Sequence, residues 1–181
     1  MTAQGAGDYL DSLVRDIPDY PKPGVLFKDI TPLLADHEGF TAVVQALAAA
    51  GRDASGSTVV DKVIGLEARG FILAAPVALA LGVGFVPVRK AGKLPAATYA
   101  VSYALEYGEA TIEMHTDALQ PGERVLLVDD VLATGGTAVA TRELVARADA
   151  VVTGLAVLME LSFLHGREAL GATSLTALRT L

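Results

Sequence analysis

Two adjacent carboxylates stand between an apolar run and a turn of small residues in the segment Val125–Thr137, which reads VLLVDDVLATGGT. The run Val125–Val128 has the length and β-branched content of a buried parallel strand. Asp129 and Asp130 would then emerge at the carboxyl end of this strand, where open α/β sheets bind their ligands. An ionised carboxylate only accepts hydrogen bonds, so the pair matches the two hydroxyl donors of a ribose 2′,3′-diol.

The turn that follows has almost no side-chain bulk, and its members are Ala133, Thr134, Gly135, Gly136 and Thr137. Its backbone N–H groups can close around an anion at the start of a helix that we expect to continue through Leu144. The segment has neither the P-loop pattern GxxxxGK[ST] nor the dinucleotide pattern GxGxxG, which disfavours ATP and NAD. A core strand with an acidic turn is the alternative interpretation, but the whole string favours a site for a phosphorylated sugar.

Two further loops after predicted strands carry cations suited to a pyrophosphate group. In Gly65–Gly70, Arg69 can direct two N–H groups at phosphate oxygens, and Gly70 admits close backbone approach. The second loop, Arg89–Pro95, has three cations that can neutralise pyrophosphate and close over it. They are Arg89, Lys90 and Lys93. The alternatives are a surface arginine at a helix start and a solvated basic turn.

The rest of the chain alternates between strand and helix patterns, which predicts a mostly parallel α/β sheet flanked by helices. The charge-free segment Gly70–Val88 is long enough for a membrane span, but its prolines and glycines favour a helix followed by a strand. Ile17–Pro32, with four prolines, is expected to be irregular and to form a lid or hood. The predicted helices are Asp8–Asp16, Gly39–Ala50 and Phe71–Leu81; the predicted strands are Val59–Leu66, Phe85–Val88, an outer strand Ala110–His115, and Val151–Leu161.

Composition sets limits on the class of protein. The 181 residues have the size of a single domain, contain no cysteine and carry a net charge of −7. This charge argues against a general nucleic-acid or anionic-membrane surface. Met1–Leu13 lacks the apolar core of a signal peptide, so we expect a cytoplasmic protein. The widely spaced His37, His115 and His165 indicate neither a metal triad nor a nucleophile with its base.

Five motifs together resemble the adenine phosphoribosyltransferase family of type I phosphoribosyltransferases. They are DIPDYPKPGVLFKDITPLL at Asp16–Leu34, GLEARGF at Gly65–Phe71, RKAGKLP at Arg89–Pro95, SYALEYG at Ser102–Gly108 and VDDVLATGGT at Val128–Thr137. The resemblance extends over nearly the whole chain. It implies a type I phosphoribosyltransferase fold in one domain, 1–181, with residues 17–34 contributing a small N-terminal hood that binds the base.

The resemblance also implies the reaction and the role of each motif. Adenine and phosphoribosyl pyrophosphate would give AMP and pyrophosphate, with Mg²⁺ bridging substrate oxygens through water and no direct protein ligand. Arg69 would act at the reaction centre and on pyrophosphate, with Arg89, Lys90 and Lys93; Glu106 would transfer the proton at the base. Adenine would be bound by Leu26, Phe27, Lys28 and Leu161. The family's turn after the first strand often contains a non-proline cis peptide, which implies one between Glu67 and Ala68.

The chain departs from the family at Ala91, where many relatives carry proline or arginine, and this puts loop stiffness and turnover in question. The family is usually homodimeric.

Three alternatives stay open: a hypoxanthine-guanine or xanthine enzyme, which would differ in the hood; a regulator that binds the same donor without catalysis; and a purely structural α/β protein. The short acidic N-terminus offers no DNA-binding domain for a regulator, and a structural protein leaves three anion-adapted loops unexplained.

Overall fold

The computed structural model describes residues 3–104 and 108–181. Its helices are α1 (Ala3–Leu13), α2 (Thr31–Ala35), α3 (His37–Ala48), α4 (Arg69–Leu81), α5 (Gly136–Arg147) and α6 (Gly166–Leu170). Its strands are β1 (Arg15–Ile17), β2 (Phe27–Asp29), β3 (Lys62–Leu66), β4 (Gly84–Lys90), β5 (Thr98–Ala104), β6 (Glu109–His115), β7 (Arg124–Leu132), β8 (Val151–Glu160) and β9 (Leu175–Thr180). Within these described ranges, short 3-10 turns at Ala49–Gly51 and Ser162–Leu164 follow α3 and β8.

The main sheet has seven described strands in the order β5-β6-β4-β3-β7-β8-β9. The neighbours from β4 to β9 run parallel, whereas β6 is antiparallel to both β4 and β5. Strands β1 and β2 form a separate antiparallel pair. The predicted fold class, a mostly parallel sheet flanked by helices with a small N-terminal hood, is therefore confirmed.

Helices cover both faces of the parallel part of the sheet. Alternate strand residues divide between two cores, as the two-residue period of a strand requires. In β7, Leu126 and Val128 pack with α1, α3 and α4, whereas Val125 and Leu127 pack with α5. Both faces are apolar because both are covered, which explains the uninterrupted run VLLV.

The charge-free segment Gly70–Val88 is divided between α4 and β4 by Gly82, which has a φ of 72°. Glycine adopts this left-handed conformation without steric cost, so it ends the helix and lets the chain turn into the strand. The prediction of a helix followed by a strand is confirmed. In the part of the chain that the structure describes, no helix is long and apolar enough to cross a membrane.

The N-terminal predictions need correction. Helix α1 runs from Ala3 to Leu13, and Arg15 begins a strand, so the predicted helix Asp8–Asp16 begins too late and extends too far. The segment Ile17–Pro32 is not wholly irregular, because Phe27–Asp29 pairs with Arg15–Ile17. The salt bridge between Arg15 and Asp29, 2.6 Å long, lies across this pair. A three-residue strand held by a partner twelve residues away leaves too little periodicity to be recognised in the sequence.

Two strand predictions also differ from the structure, and two strands were not predicted. Val59–Asp61 does not continue β3: Val59 donates to Gly51 O (2.9 Å) and Asp61 donates to Arg124 O (2.7 Å). Strand β6 is not the outer strand, because β5 pairs along its whole length. The sequence analysis missed β5 and β9. Both are edge strands, which have a neighbouring strand on one side only, and such strands tolerate polar residues among the apolar ones.

Candidate active site at the carboxyl ends of the strands

The small-residue turn lies between the end of β7 and the start of α5, as predicted. Gly135 has a φ of 84°, and a Cβ atom there would lie 2.9 Å from the carbonyl oxygen of Gly166. A Cβ atom on Gly166 would lie 2.1 Å from the carbonyl oxygen of Ala133. The start of α6 thus packs directly against the backbone of the turn. Only glycine permits this approach at either position.

A cavity of about 80 Å³ opens above this turn. Its lining includes Asp129, Thr134 and Thr137, together with both glycines of the turn. Because Gly136 is the first residue of α5, the free N–H groups of the first helical turn lie at this cavity. Free N–H groups and the positive end of the helix dipole favour an anion here.

Asp129 and Asp130 lie within β7 rather than beyond its end, which corrects the predicted strand end at Val128. The strand extends because Val131 and Leu132 still pair with β8. Asp130 is only 4% exposed. Its backbone N–H donates to Oδ1 of Asp129 at 2.9 Å.

The charges of these two aspartates are balanced mainly by one arginine. Oδ2 of Asp130 lies 2.8 Å from Nε of Arg69, but within the described residues this buried oxygen accepts no hydrogen bond. Arg69 and Asp130 therefore attract each other as opposite charges, but no N–H of Arg69 points at this oxygen. Burial and then the charge of Asp130 raise the pKa of Asp129, while the N–H of Asp130 and the charge of Arg69 oppose this rise. The site thus contains an oxygen that a ligand hydroxyl can satisfy.

Arg69 is the first residue of α4 and follows the cis peptide between Glu67 and Ala68, which confirms the predicted cis bond. A Cβ atom on Gly70 would lie 2.8 Å from Val128 O. The helix therefore begins in contact with β7. This contact accounts for the glycine after Arg69 and brings Arg69 to the aspartates.

Two of the three loop cations, Arg89 and Lys93, pair with Glu67, which was not predicted as a site residue. Its side chain is 8% exposed and forms ion pairs with Nε of Arg89 (3.3 Å) and with Nζ of Lys93. It also accepts a hydrogen bond from the backbone N–H of Lys90 at 3.0 Å. Burial opposes ionisation of this carboxyl, but the hydrogen bonds from Lys93 and Lys90 outweigh it and lower the pKa of Glu67. An internal carboxylate therefore pairs with two of the cations that are predicted to bind pyrophosphate.

The hood contacts the same arginine. The guanidinium carbon of Arg69 lies 4.8 Å from the ring centroid of Phe27, and its Nη1 donates to Lys28 O at 3.2 Å. Tyr20 packs edge-on against Phe27 with ring centroids 5.1 Å apart. The adjacent Leu26 is 51% exposed. The structure thus brings the predicted base-binding segment to the predicted pyrophosphate and ribose groups.

Leu161 follows β8 and donates its backbone N–H to Leu132 O at 2.9 Å. This bond places it beside the end of β7. Its stacking opposite Phe27 stays a prediction. Glu106, with its neighbours at 105 and 107, lies outside the described residues, so its assigned role stays a prediction as well.

Two further groups near the turn were missed by the sequence analysis. The hydroxyl of Tyr103 on β5 lies 2.9 Å from Oγ1 of Thr137. Glu160, 3% exposed at the end of β8, pairs with Arg167 of α6 through bonds of 2.9 and 2.6 Å. This pair holds α6 against the turn. Tyr103 stood inside a recognised motif, whereas no sequence signal joins Glu160 to Arg167.

Comparison with known proteins agrees with this geometry. Residues 33–169 match the family model described as a phosphoribosyl transferase domain. The adenine phosphoribosyltransferase of Nocardioides sp. is 72% identical over 93% of this chain and 91% of its own length. That of Streptomyces coelicolor is 61% identical over 97% of both chains.

Solved structures agree as well. Adenine phosphoribosyltransferase from Rhodothermus marinus superimposes with a TM-score of 0.91 at 49% identity, covering 98% of this chain and 99% of the other. The Saccharomyces cerevisiae enzyme, complexed with an imino-altritol bisphosphate and adenine, has a TM-score of 0.91 at 38% identity, over 97% of this chain and 99% of the other. The chain belongs to the phosphoribosyltransferase family, in its adenine phosphoribosyltransferase branch.

Proposed function

We propose that this chain transfers the 5-phosphoribosyl group of phosphoribosyl pyrophosphate to N9 of adenine, giving AMP and pyrophosphate in purine salvage. The observation that carries this proposal is the buried carboxylate pair beside the small-residue turn. One carboxylate oxygen lacks a hydrogen bond among the described residues, and the cavity above the turn is lined by free N–H groups and hydroxyls. The adenine specificity of the proposal rests on the relatives and on the resemblance of the hood.

The ribose step follows from the charges at the end of β7. N9 of adenine forms a bond to C1 of the ribose while the bond from C1 to pyrophosphate oxygen breaks, and the departing group keeps the electron pair. Positive charge develops on the sugar ring, which the carboxylates of Asp129 and Asp130 stabilise. The turn Ala133–Thr137 holds the 5′-phosphate, so the sugar is fixed at both ends. The proton of N9 passes to Glu106, a role that the resemblance alone supports.

The cations stabilise the leaving group in this proposal. Arg69 already balances the aspartates, and the guanidinium can also reach toward the pyrophosphate oxygens as charge moves onto them. Arg89, Lys90 and Lys93 supply the remaining positive charge from the β4 end and the loop after it. Arg89 and Lys93 are paired with Glu67 in the free protein, so pyrophosphate must compete with an internal carboxylate for these two cations.

The hood binds the base in this proposal. Phe27 supplies an aromatic face for stacking, the backbone groups of Leu26 and Lys28 read the amidine edge, and Leu161 covers the opposite face. The exposed Leu26 and the aromatic pair Tyr20–Phe27 support a surface shaped for a flat ligand.

The residues present fit a magnesium ion carried by the substrate. In the part of the chain that the structure describes, no three His, Cys, Asp or Glu residues form a group that could hold a metal. Asp129 and Asp130 provide acceptors for water molecules, and Mg²⁺ usually keeps several waters. When bound, the ion neutralises charge on pyrophosphate and so makes it a better leaving group.

We also propose that two copies of the chain form a homodimer and that each whole chain is one catalytic unit. Ile72 and Leu79, about two helical turns apart on α4, are 45% and 82% exposed, and Phe85 on β4 is 36% exposed. Such an apolar surface suits a second copy of the chain. Sedimentation of the purified protein tests this assembly. A cytoplasmic location stays a prediction, tested by fractionation of cells.

The direct experiment mixes purified protein, Mg²⁺ and phosphoribosyl pyrophosphate with adenine, hypoxanthine, guanine or xanthine and follows nucleotide formation. We expect turnover with adenine alone. Turnover with another base would move the chain to a different specificity within the family. Binding of the donor without turnover of any base would support the regulator instead.

A further inference from the structure

We propose that Tyr103 is a positioning residue for the 5′-phosphate: its hydroxyl donates to Oγ1 of Thr137 and so directs the single proton of Thr137 at the phosphate. This inference rests on the proposed function, because it assumes that the turn Ala133–Thr137 binds that phosphate. The two oxygens lie 2.9 Å apart, and the bond links the edge strand β5 to the first turn of α5.

Tyr103 is held in place by packing. Its ring lies against the core that β5 shares with α5, on the same strand face as Tyr99 and the buried Val101. A Cβ atom on Gly136 would lie 3.1 Å from this ring, so the ring covers the backbone of the turn at closest approach. At the far end of α5, Arg147 donates to Ala100 O at 2.7 Å. Strand β5 and helix α5 are thus joined at both ends.

The direction of the hydrogen bond follows from what each hydroxyl can do. A hydroxyl has one proton to donate and two lone pairs that accept. If Thr137 gives its proton to a phosphate oxygen, only its lone pairs are available to Tyr103, so the phenol must donate. A phenol is the more acidic of the two hydroxyls, and a donor that itself receives a hydrogen bond is polarised into a stronger donor. Within the described residues, Tyr103 does not line the cavity, and so it acts through Thr137.

The alternative is that the Tyr103 hydroxyl engages the Thr137 hydroxyl only in the free protein, and that phosphate displaces it. The two arrangements predict opposite signs. If Tyr103 orients Thr137, removing the Tyr103 hydroxyl weakens phosphate binding. If Tyr103 competes with phosphate for Thr137, removing that hydroxyl strengthens phosphate binding. The carbonyl of Thr137 accepts from Oγ1 of Thr141 at 2.8 Å, so the backbone at this position is fixed independently of Tyr103.

The experiment titrates ribose 5-phosphate, and separately pyrophosphate with Mg²⁺, into the wild type, Tyr103→Phe and Tyr99→Phe by calorimetry. Tyr103→Phe should weaken ribose 5-phosphate binding by about three- to tenfold, the value of one hydrogen bond, and leave pyrophosphate affinity unchanged. Tyr99→Phe makes the same chemical change on the same face of the same strand. Within the described residues its hydroxyl has no bond to the turn, so it should change neither affinity.

A double-mutant cycle with Thr137→Val separates orientation from packing. In that background Tyr103→Phe should have no further effect, whereas in Thr137→Ser, which keeps the hydroxyl, the loss should persist. Tighter binding by Tyr103→Phe, an unchanged affinity, an equal loss in Tyr99→Phe, or a loss that persists in Thr137→Val would each overturn the inference. If the wild type itself fails to bind ribose 5-phosphate, the proposed function fails at the turn and the inference falls with it.

Discussion

Arg69 lies over the ring of Phe27, with 4.8 Å between the guanidinium carbon and the ring centroid. The same side chain pairs with Asp130 of β7. One arginine therefore joins the hood to the carboxylates, and it covers one face of the ring that we propose for adenine. Adenine must either take the place of the guanidinium or stack on the opposite face, and in both cases it depends on the Phe27 ring.

We therefore expect Phe27→Leu to raise the KM for adenine by about tenfold, because stacking of a base on an aromatic ring contributes about 1–3 kcal/mol. The KM for phosphoribosyl pyrophosphate should stay close to the wild-type value, because the proposal gives Phe27 no contact with the donor. Steady-state kinetics with each substrate varied in turn measures both. Tyr20→Phe is the matched control, because it keeps the ring that packs on Phe27 and removes only a hydroxyl. An unchanged KM for adenine in Phe27→Leu would remove Phe27 from the base site.

Glu67→Gln should bind pyrophosphate about three- to tenfold more tightly than the wild type, because it frees cations that a buried carboxylate now neutralises. The lowered pKa of Glu67 means that this carboxylate is ionised at neutral pH. Calorimetric titration of pyrophosphate with Mg²⁺ measures the change.

Glu113→Gln is the control for this prediction. Glu113 accepts from the backbone N–H of Gly92 in the same loop at 3.0 Å, and in the described part of the chain it pairs with no cationic side chain. Equal tightening in Glu113→Gln would show that net charge, rather than the contact with Glu67, sets the affinity. Weaker binding in Glu67→Gln would mean that Glu67 orders the cations for the ligand.

Gly166→Ala should weaken binding of ribose 5-phosphate by about tenfold or more and lower the free energy of unfolding by about 1–3 kcal/mol. The added Cβ would lie 2.1 Å from Ala133 O, so the turn or α6 must move. Calorimetry and chemical denaturation measure the two effects. Gly5→Ala in α1 is the control, since no atom lies within 4 Å of a Cβ there and alanine favours a helix. Wild-type affinity in Gly166→Ala would show that this contact does not position the turn.

Asp129→Asn should raise the melting temperature at pH 8 while weakening donor binding. The native-state pKa of Asp129 is raised above its unfolded value, so the native state binds this proton more tightly. The ionised carboxylate therefore destabilises the native state, and this cost appears as pH rises through the unfolded and then the native pKa. The advantage of Asp129→Asn should vanish near pH 3, below the unfolded pKa.

Thermal unfolding of the free protein between about pH 3 and pH 8, without Mg²⁺, measures this dependence. Asp117→Asn replaces an exposed aspartate on the turn after β6 and should leave the melting temperature unchanged at every pH. A lower melting temperature for Asp129→Asn at pH 8 would mean that the ionised pair stabilises the fold.

The groups that the sequence predicted are those whose members stand together in the chain. The carboxylate pair and the turn after it each depend on neighbours within one short segment, whereas the cis peptide at Glu67 was implied by the family resemblance. The contacts of Tyr103 with Thr137, 34 residues apart, and of Lys93 with Glu67, 26 residues apart, depend on how strands are ordered in the sheet. No local pattern contains that order, so these partners appeared only in the structure.

The same reasoning explains the misplaced boundaries. Val59–Asp61 is as apolar and β-branched as the strand it precedes, but Val59 donates to Gly51 in the turn after α3. Asp61 donates to Arg124 at the very start of β7, before the pairing of β3 with β7 begins at Lys62 and Val125. Strand β7 continues through the two aspartates because β8 continues beside it. In both cases the partner, rather than the intrinsic preference of the segment, decides where the strand ends.

The most direct test of this ribose and phosphate site is a crystal structure of the protein with AMP. We expect the ribose hydroxyls to bond to Asp129 and Asp130, and the 5′-phosphate to be enclosed by the backbone N–H groups of Ala133–Thr137. A nucleotide bound elsewhere, with the carboxylate pair unchanged and the turn empty, would contradict it.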